Sequence, residues 1–98
     1  MRVLFDNGTP APLGPSLVGH AVEDARDHGW ERLANGDLLT VAETAGFDVL
    51  VTTDQNMRFQ QNLTARRIAI VALGNGQWPR IRAGIPLIVA AVNAATPG

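Results

Sequence analysis

Ninety-eight residues are one domain's worth of chain, and an apolar share of 46% suits an ordinary globular core. The absence of cysteine excludes disulfides and thiolate metal sites. Net charge is only −1, but residues 1–54 hold all nine acids and three arginines, whereas residues 55–98 hold five arginines and no acid.

Arg2 to Asp6 reads as a first strand, an apolar run that stops on an acid, with Asn7 next. Pro10, Pro12 and Pro15 then allow only a short or irregular helix over residues 10–18, closed by Gly19. His20 to Asp24 forms a second, weakly apolar strand. The strongest helical signal covers residues 37–47, where Leu38, Val41, Ala42 and Ala45 share one face and Gly46 stands at the C′ position. Phe47 to Thr52 is a third strand leading to Asp54, followed by a short helix over residues 56–63. Ile68 to Leu73 is a fourth strand, apolar enough to be buried on both faces. "GNGQWP" reads as a loop, and Pro86 opens a last helix reaching Ala95. The apolar run from Ile85 to Val92 is too short to span a bilayer. With no signal-like N-terminus, a cytoplasmic location away from membranes is expected.

Strands alternating with helices predict an α/β domain with a mainly parallel four-stranded sheet over residues 1–98. Ligands of such sheets sit beyond the carboxyl ends of the strands. Asp6 and Asp54 stand at two of those ends, and Asp37 starts the middle helix. If the three converge, their mutual repulsion calls for a hard divalent cation, Mg²⁺ or Mn²⁺, able to polarise a phosphodiester. Asn7 and Asn56 could then orient water or phosphate. Each acid also has a simpler role: Asp37 as a helix cap, Asp6 and Asp54 as turn formers. Asp48 reads as a turn residue, and Glu23, Asp24 and Asp27 as a solvated face. His20 and His28 lack a zinc spacing. Thr52 and Thr53 lack a base partner for covalent catalysis. The lysine a phospho-receiver domain relies on is absent. The arginines of the second half either pair with the acids of the first or form a rim for phosphates. Arg58 stands first among them, then Arg80 and Arg82, while Arg66 and Arg67 precede the fourth strand at its amino end.

The segments "RVLFDNGTPAPL", "GHAVEDARDHGW" and "NGDLLTVAETAGFDVLVTTDQNM" resemble small PIN-like proteins, whose chains open on an "LLDENLP" pattern and end the third strand on T-x-D. The resemblance spans residues 1 to about 73. It implies a compact, three-layer PIN-like sandwich with Asp6, Asp37 and Asp54 as metal-binding, catalytic acids. It also implies Mg²⁺- or Mn²⁺-dependent cleavage of single-stranded RNA, as in the toxin of a toxin–antitoxin pair, with an antitoxin or a second copy as protein partner. Asn7 and Asn56 replace two acids of the family pattern. That departure favours an alternative, a catalytically weak or inactive module binding RNA or a protein.

Overall fold

The computed structural model describes residues 1–6, 9–53, 67–73 and 78–95. Four strands, β1 (Arg2–Phe5), β2 (Ala21–Asp24), β3 (Val49–Thr52) and β4 (Ala69–Ala72), form one sheet in the order β2-β1-β3-β4. Every pairing is parallel. The register sets Phe5 beside both Asp24 and Val51, and Thr52 beside Ala72, so the strands end together at one carboxyl edge.

Side chains alternate across the sheet with the period of two that strands impose. Val3, Phe5, Val49, Val51 and Ala69 face one way and pack with Leu13, Leu17, Ile81 and Val92. Leu4 and Leu50 face the other way, against Leu38, Leu39, Ala42 and Phe47. Helical elements therefore cover both faces. On the first face lie a 3₁₀ segment (Ala11–Ser16) and two helices, α2 (Trp78–Ala83) and α3 (Ile85–Asn93). On the second face lies α1 (Asn35–Thr44). The β1–β2 connection uses the first face and the β2–β3 connection uses the second, moving in the opposite direction along the sheet. Both crossovers thus have one hand, as parallel sheets require. A radius of gyration of 12.2 Å is that of one compact domain of this length.

The end of α1 shows why its boundary was readable. Gly46 has φ +89°, its N–H donates to the Glu43 carbonyl (3.0 Å), and the Phe47 N–H donates to Ala42 (3.0 Å). These are the two bonds of a Schellman motif, with Phe47 and Ala42 packed together in the core. The other end of α1 corrects an expectation: the N-cap residue is Ala34, without a side-chain bond, so Asp37 lies inside the first turn and does not cap the helix. "GNGQWP" is not loop throughout, because Trp78 and Pro79 open α2, where a proline's missing donor costs little. A second 3₁₀ segment, Ala25–His28, was not anticipated. β4 is an edge strand among the described residues, with Ala69 buried and Ile70 to Ala72 only half-buried. The expected helix over residues 56–63 lies outside the described residues. No helix among the described residues is long and apolar enough to cross a membrane.

Candidate functional site

Strand order places the topological switch between β1 and β3, because the chain leaves β1 for β2 on one side and returns to β3 on the other. Crevices at such switch points are where open α/β sheets bind ligands. Asp6 follows β1 directly at this point, half-buried, its N–H donating to the Val51 carbonyl at 3.1 Å. Its own carbonyl accepts from Thr9 N–H at 3.1 Å. Asp6 is thus a strand-tip acid whose backbone bonds both Val51 and Thr9.

Two buried hydroxyls hold its carboxylate. Thr9 Oγ1 stands 2.9 Å from Asp6 Oδ1, and the Thr52 hydroxyl donates to Asp6 Oδ2. Thr9 and Thr52 are the two buried polar residues of the described core. Each carboxylate oxygen lies against one hydroxyl. The signal for Thr52 was in the sequence, as the first residue of T-x-D. Thr9 was missed.

Asp37 lies exposed in the first turn of α1. α1 connects the carboxyl end of β2 to the amino end of β3, so this turn is on the carboxyl-edge side of the second face. Among the described residues, no three His, Asp or Glu side chains group so as to hold a metal ion. Asp54, Asn7, Asn56, Arg58 and Arg66 lie outside the described residues. Arg80 belongs to α2, and its side chain is also outside them; Arg82, in the same helix, is exposed. Only four residues separate Leu73 from α2, which ties the helix to the carboxyl end of β4. Arg67 lies at the amino end of β4, its N–H 3.3 Å from Glu43 Oε2.

Two of the acids read as a solvated face, Glu23 and Asp24, are engaged, whereas Asp27 is exposed. Glu23 Oε2 accepts from Arg2 (3.2 Å) and Glu23 Oε1 lies 2.8 Å from His28 Nε2. Arg2 and, after it, His28 hold the Glu23 carboxyl below its ordinary range. Arg2 also donates to the Ala45 carbonyl and lies 4.3 Å over the Phe47 ring, while His28 stacks on Trp30 at 4.4 Å. Asp24 caps the second 3₁₀ segment through Arg26 N–H at 2.9 Å. Asp48 is more than a turn residue: its carboxylate accepts from Arg2 N–H (2.8 Å), and its backbone bonds both Arg2 and Ala69. It therefore ties β1 to β4 across the amino edge. The ion pairs Arg2–Glu23, Arg26–Asp24 and His28–Glu23 lie within the first half of the chain.

A cleft of about 390 Å³ runs along β2, with Phe5, Gly14 and Val22 as apolar lining and His20, Asp24 and Asp27 as polar lining. Asp6 does not line it. No protein-family model, curated protein or solved structure matches the chain.

Proposed function

We propose that the crevice between the carboxyl ends of β1 and β3 is a PIN-like acid site that cleaves single-stranded RNA, as the toxin of a toxin–antitoxin pair does. One observation carries the reading: Asp6, a strand-tip carboxylate at the switch point of an all-parallel sheet, fixed in orientation by the Thr9 and Thr52 hydroxyls. Asp6 suits a hard cation as a carboxylate oxygen donor. A complete donor set needs Asp54, which follows β3 by one residue beyond Thr53, and the outer-layer Asp37 as a more distant member. A bound Mg²⁺ or Mn²⁺ would supply a polarised phosphodiester and an activated water. The chain's own work is positioning: the hydroxyls keep the Asp6 carboxylate from rotating, and Arg82 of α2 serves as a phosphate contact.

The second reading is a module that binds RNA or a protein without cleaving. It is favoured by the engagement of both Asp6 oxygens, which serves to join the ends of β1 and β3 without any ligand, and by Asn7 and Asn56 in place of acids.

Incubation of labelled single-stranded RNA with Mn²⁺ or with chelator separates the two. The nuclease reading expects Mn²⁺-dependent cleavage, lost in Asp6→Asn and Asp54→Asn but kept in the exposed Asp27→Asn. Binding that ignores chelator, with no cleavage, selects the module.

A further inference from the structure

Among the described residues, the helical layer on the first face is incomplete over β2. Val22 and Asp24 point to that face, since the register pairs them with Val3 and Phe5. β2 is an edge strand whose four residues are all at least partly exposed. The first 3₁₀ segment passes over it with Gly14, and the missing side chain leaves space: a Cβ there would stand 3.7 Å from Val22 Cγ1 and 4.0 Å from Phe5 Cε2. The result is the cleft along β2, walled by Phe5, Val22 and Pro15. Its two ends differ. Near the start of β2 stands His20, with both ring nitrogens taken, one by the Met1 amino group at 3.2 Å and one by Asn93 Oδ1 at 2.6 Å. Where β2 finishes stand Asp24 and Asp27, three positions apart across a 3₁₀ turn, where side chains at i and i+3 eclipse. Glu23 turns its carboxylate to Arg2 and His28 on the opposite face. Arg26 reaches Asp24 Oδ1 at 3.4 Å while staying 59% exposed. This end of the cleft therefore sets two carboxylates against one guanidinium.

We propose that this cleft binds a small organic cation, an ammonium head carried on a short apolar body. Volume sets the size. A cleft of about 390 Å³ stands near the small end of the roughly 300–1,000 Å³ of ligand cavities, so one ring or a short alkyl chain fills it. Charge sets the head and its direction. The two carboxylates attract a cation at one end, and the Met1 amino group turns the same head away from the other. A phosphate or carboxylate ligand would meet the acids as a like charge. Length fits as well. The four residues of β2 span about 10 Å at ~3.3 Å per residue, so a head beside Asp24 and Asp27 lets the apolar body lie along Val22 towards the His20 ring. Asp6 does not line the cleft, and its occupancy does not depend on the nuclease reading.

Amide chemical-shift mapping with phenethylammonium and, in parallel, hexylammonium tests it. Each cation should shift the amides of Gly14, Val22, Asp24 and Asp27 and saturate in roughly the millimolar range. The anion 3-phenylpropionate, with the same ring and the opposite charge, should shift none of them. Asp27→Asn should weaken binding roughly 2- to 5-fold, the range of an exposed ion pair. Gly14→Leu, which fills the cleft, should weaken it ~10-fold or more. Asp27 is exposed and Gly14 needs no left-handed backbone, and circular dichroism confirms the fold of each protein. Absence of shifts with both cations overturns the proposal. So does equal binding of the anion, or a Gly14→Leu protein that binds as well as the wild type. An Asp27→Asn protein with undiminished affinity also overturns it, since the cleft would then act as an apolar surface without charge selection.

Discussion

Thr9 Oγ1 lies 2.9 Å from Asp6 Oδ1, and the same hydroxyl lies 2.9 Å from the Val51 carbonyl, so one buried side chain joins the tips of the two central strands. Valine at position 9 keeps the shape and removes the hydroxyl. The half-buried Asp6 carboxylate then loses a donor, at a cost of about 1–3 kcal/mol. Thr9→Ser keeps the hydroxyl and loses one methyl, about 0.8 kcal/mol if it was fully buried. Urea unfolding should therefore rank wild type, Ser, then Val. A valine variant as stable as wild type would show that the hydroxyl does not hold the strand tips.

Gly46 and Gly29 both have positive φ, +89° and +75°. Alanine at either pays the left-handed penalty of about 1–2 kcal/mol. The surroundings separate them. A Cβ on Gly46 would stand 3.1 Å from Arg2 Nη1, whereas one on Gly29 meets nothing within 4 Å. Arg2 cannot give way freely, since it holds Glu23, the Ala45 carbonyl and the Phe47 ring. Gly46→Ala should thus lower the thermal midpoint more than Gly29→Ala. Equal losses would mean that the guanidinium yields at no cost.

What the sequence made legible follows the range of the interactions. The Schellman end of α1 is written in neighbouring residues, and the strand-tip position of Asp6 in the apolar run before it. β1 and β3 are buried on both faces and so are apolar almost throughout, which made these strands stand out. Thr9 was silent because its Val51 contact crosses 42 positions. The Arg2–Glu23–His28 network was silent for the same reason: each partner alone reads as a solvated charge. α2 was hidden by a glycine-rich approach and a proline that loops and helix starts share. At the candidate site, Asp6 was placed correctly at the edge, while the distance from Asp37 to that edge depends on layer packing that no local pattern encodes.

Glu23 gives the pH dependence a sign. Its folded carboxyl titrates below the ordinary glutamate range, first because of the Arg2 hydrogen bond and then because of His28. A depressed folded pKa contributes stability that is fully present above the unfolded value and is lost as pH falls through the folded value. The wild type should therefore lose stability as pH drops below about 4.5. Glu23→Gln should start less stable at neutral pH and show a flatter decline over that window, the two curves converging in strong acid. Parallel curves from pH-dependent urea titrations would remove Glu23 from the account. The side chain is 37% exposed, so added salt should narrow the gap between the proteins.

The arginines offer a test of the RNA reading that does not need cleavage. Arg82 is exposed on α2, which the chain ties to the carboxyl end of β4. Arg67 is equally exposed but sits at the amino end of the same strand, beside Glu43 of α1. Each guanidinium can clasp a phosphate with two donors. Position therefore separates them. If single-stranded RNA runs along the carboxyl edge past Asp6, Arg82→Ala removes one phosphate contact and lowers the slope of log affinity against log salt by roughly 0.7. Arg67→Ala should leave both slope and affinity unchanged. Filter binding of a short RNA across a salt series reads both quantities, with chelator present to suppress turnover. Equal effects of the two substitutions would point to diffuse attraction by the basic half of the chain. A loss confined to Arg67→Ala would place the RNA on the amino edge, away from Asp6.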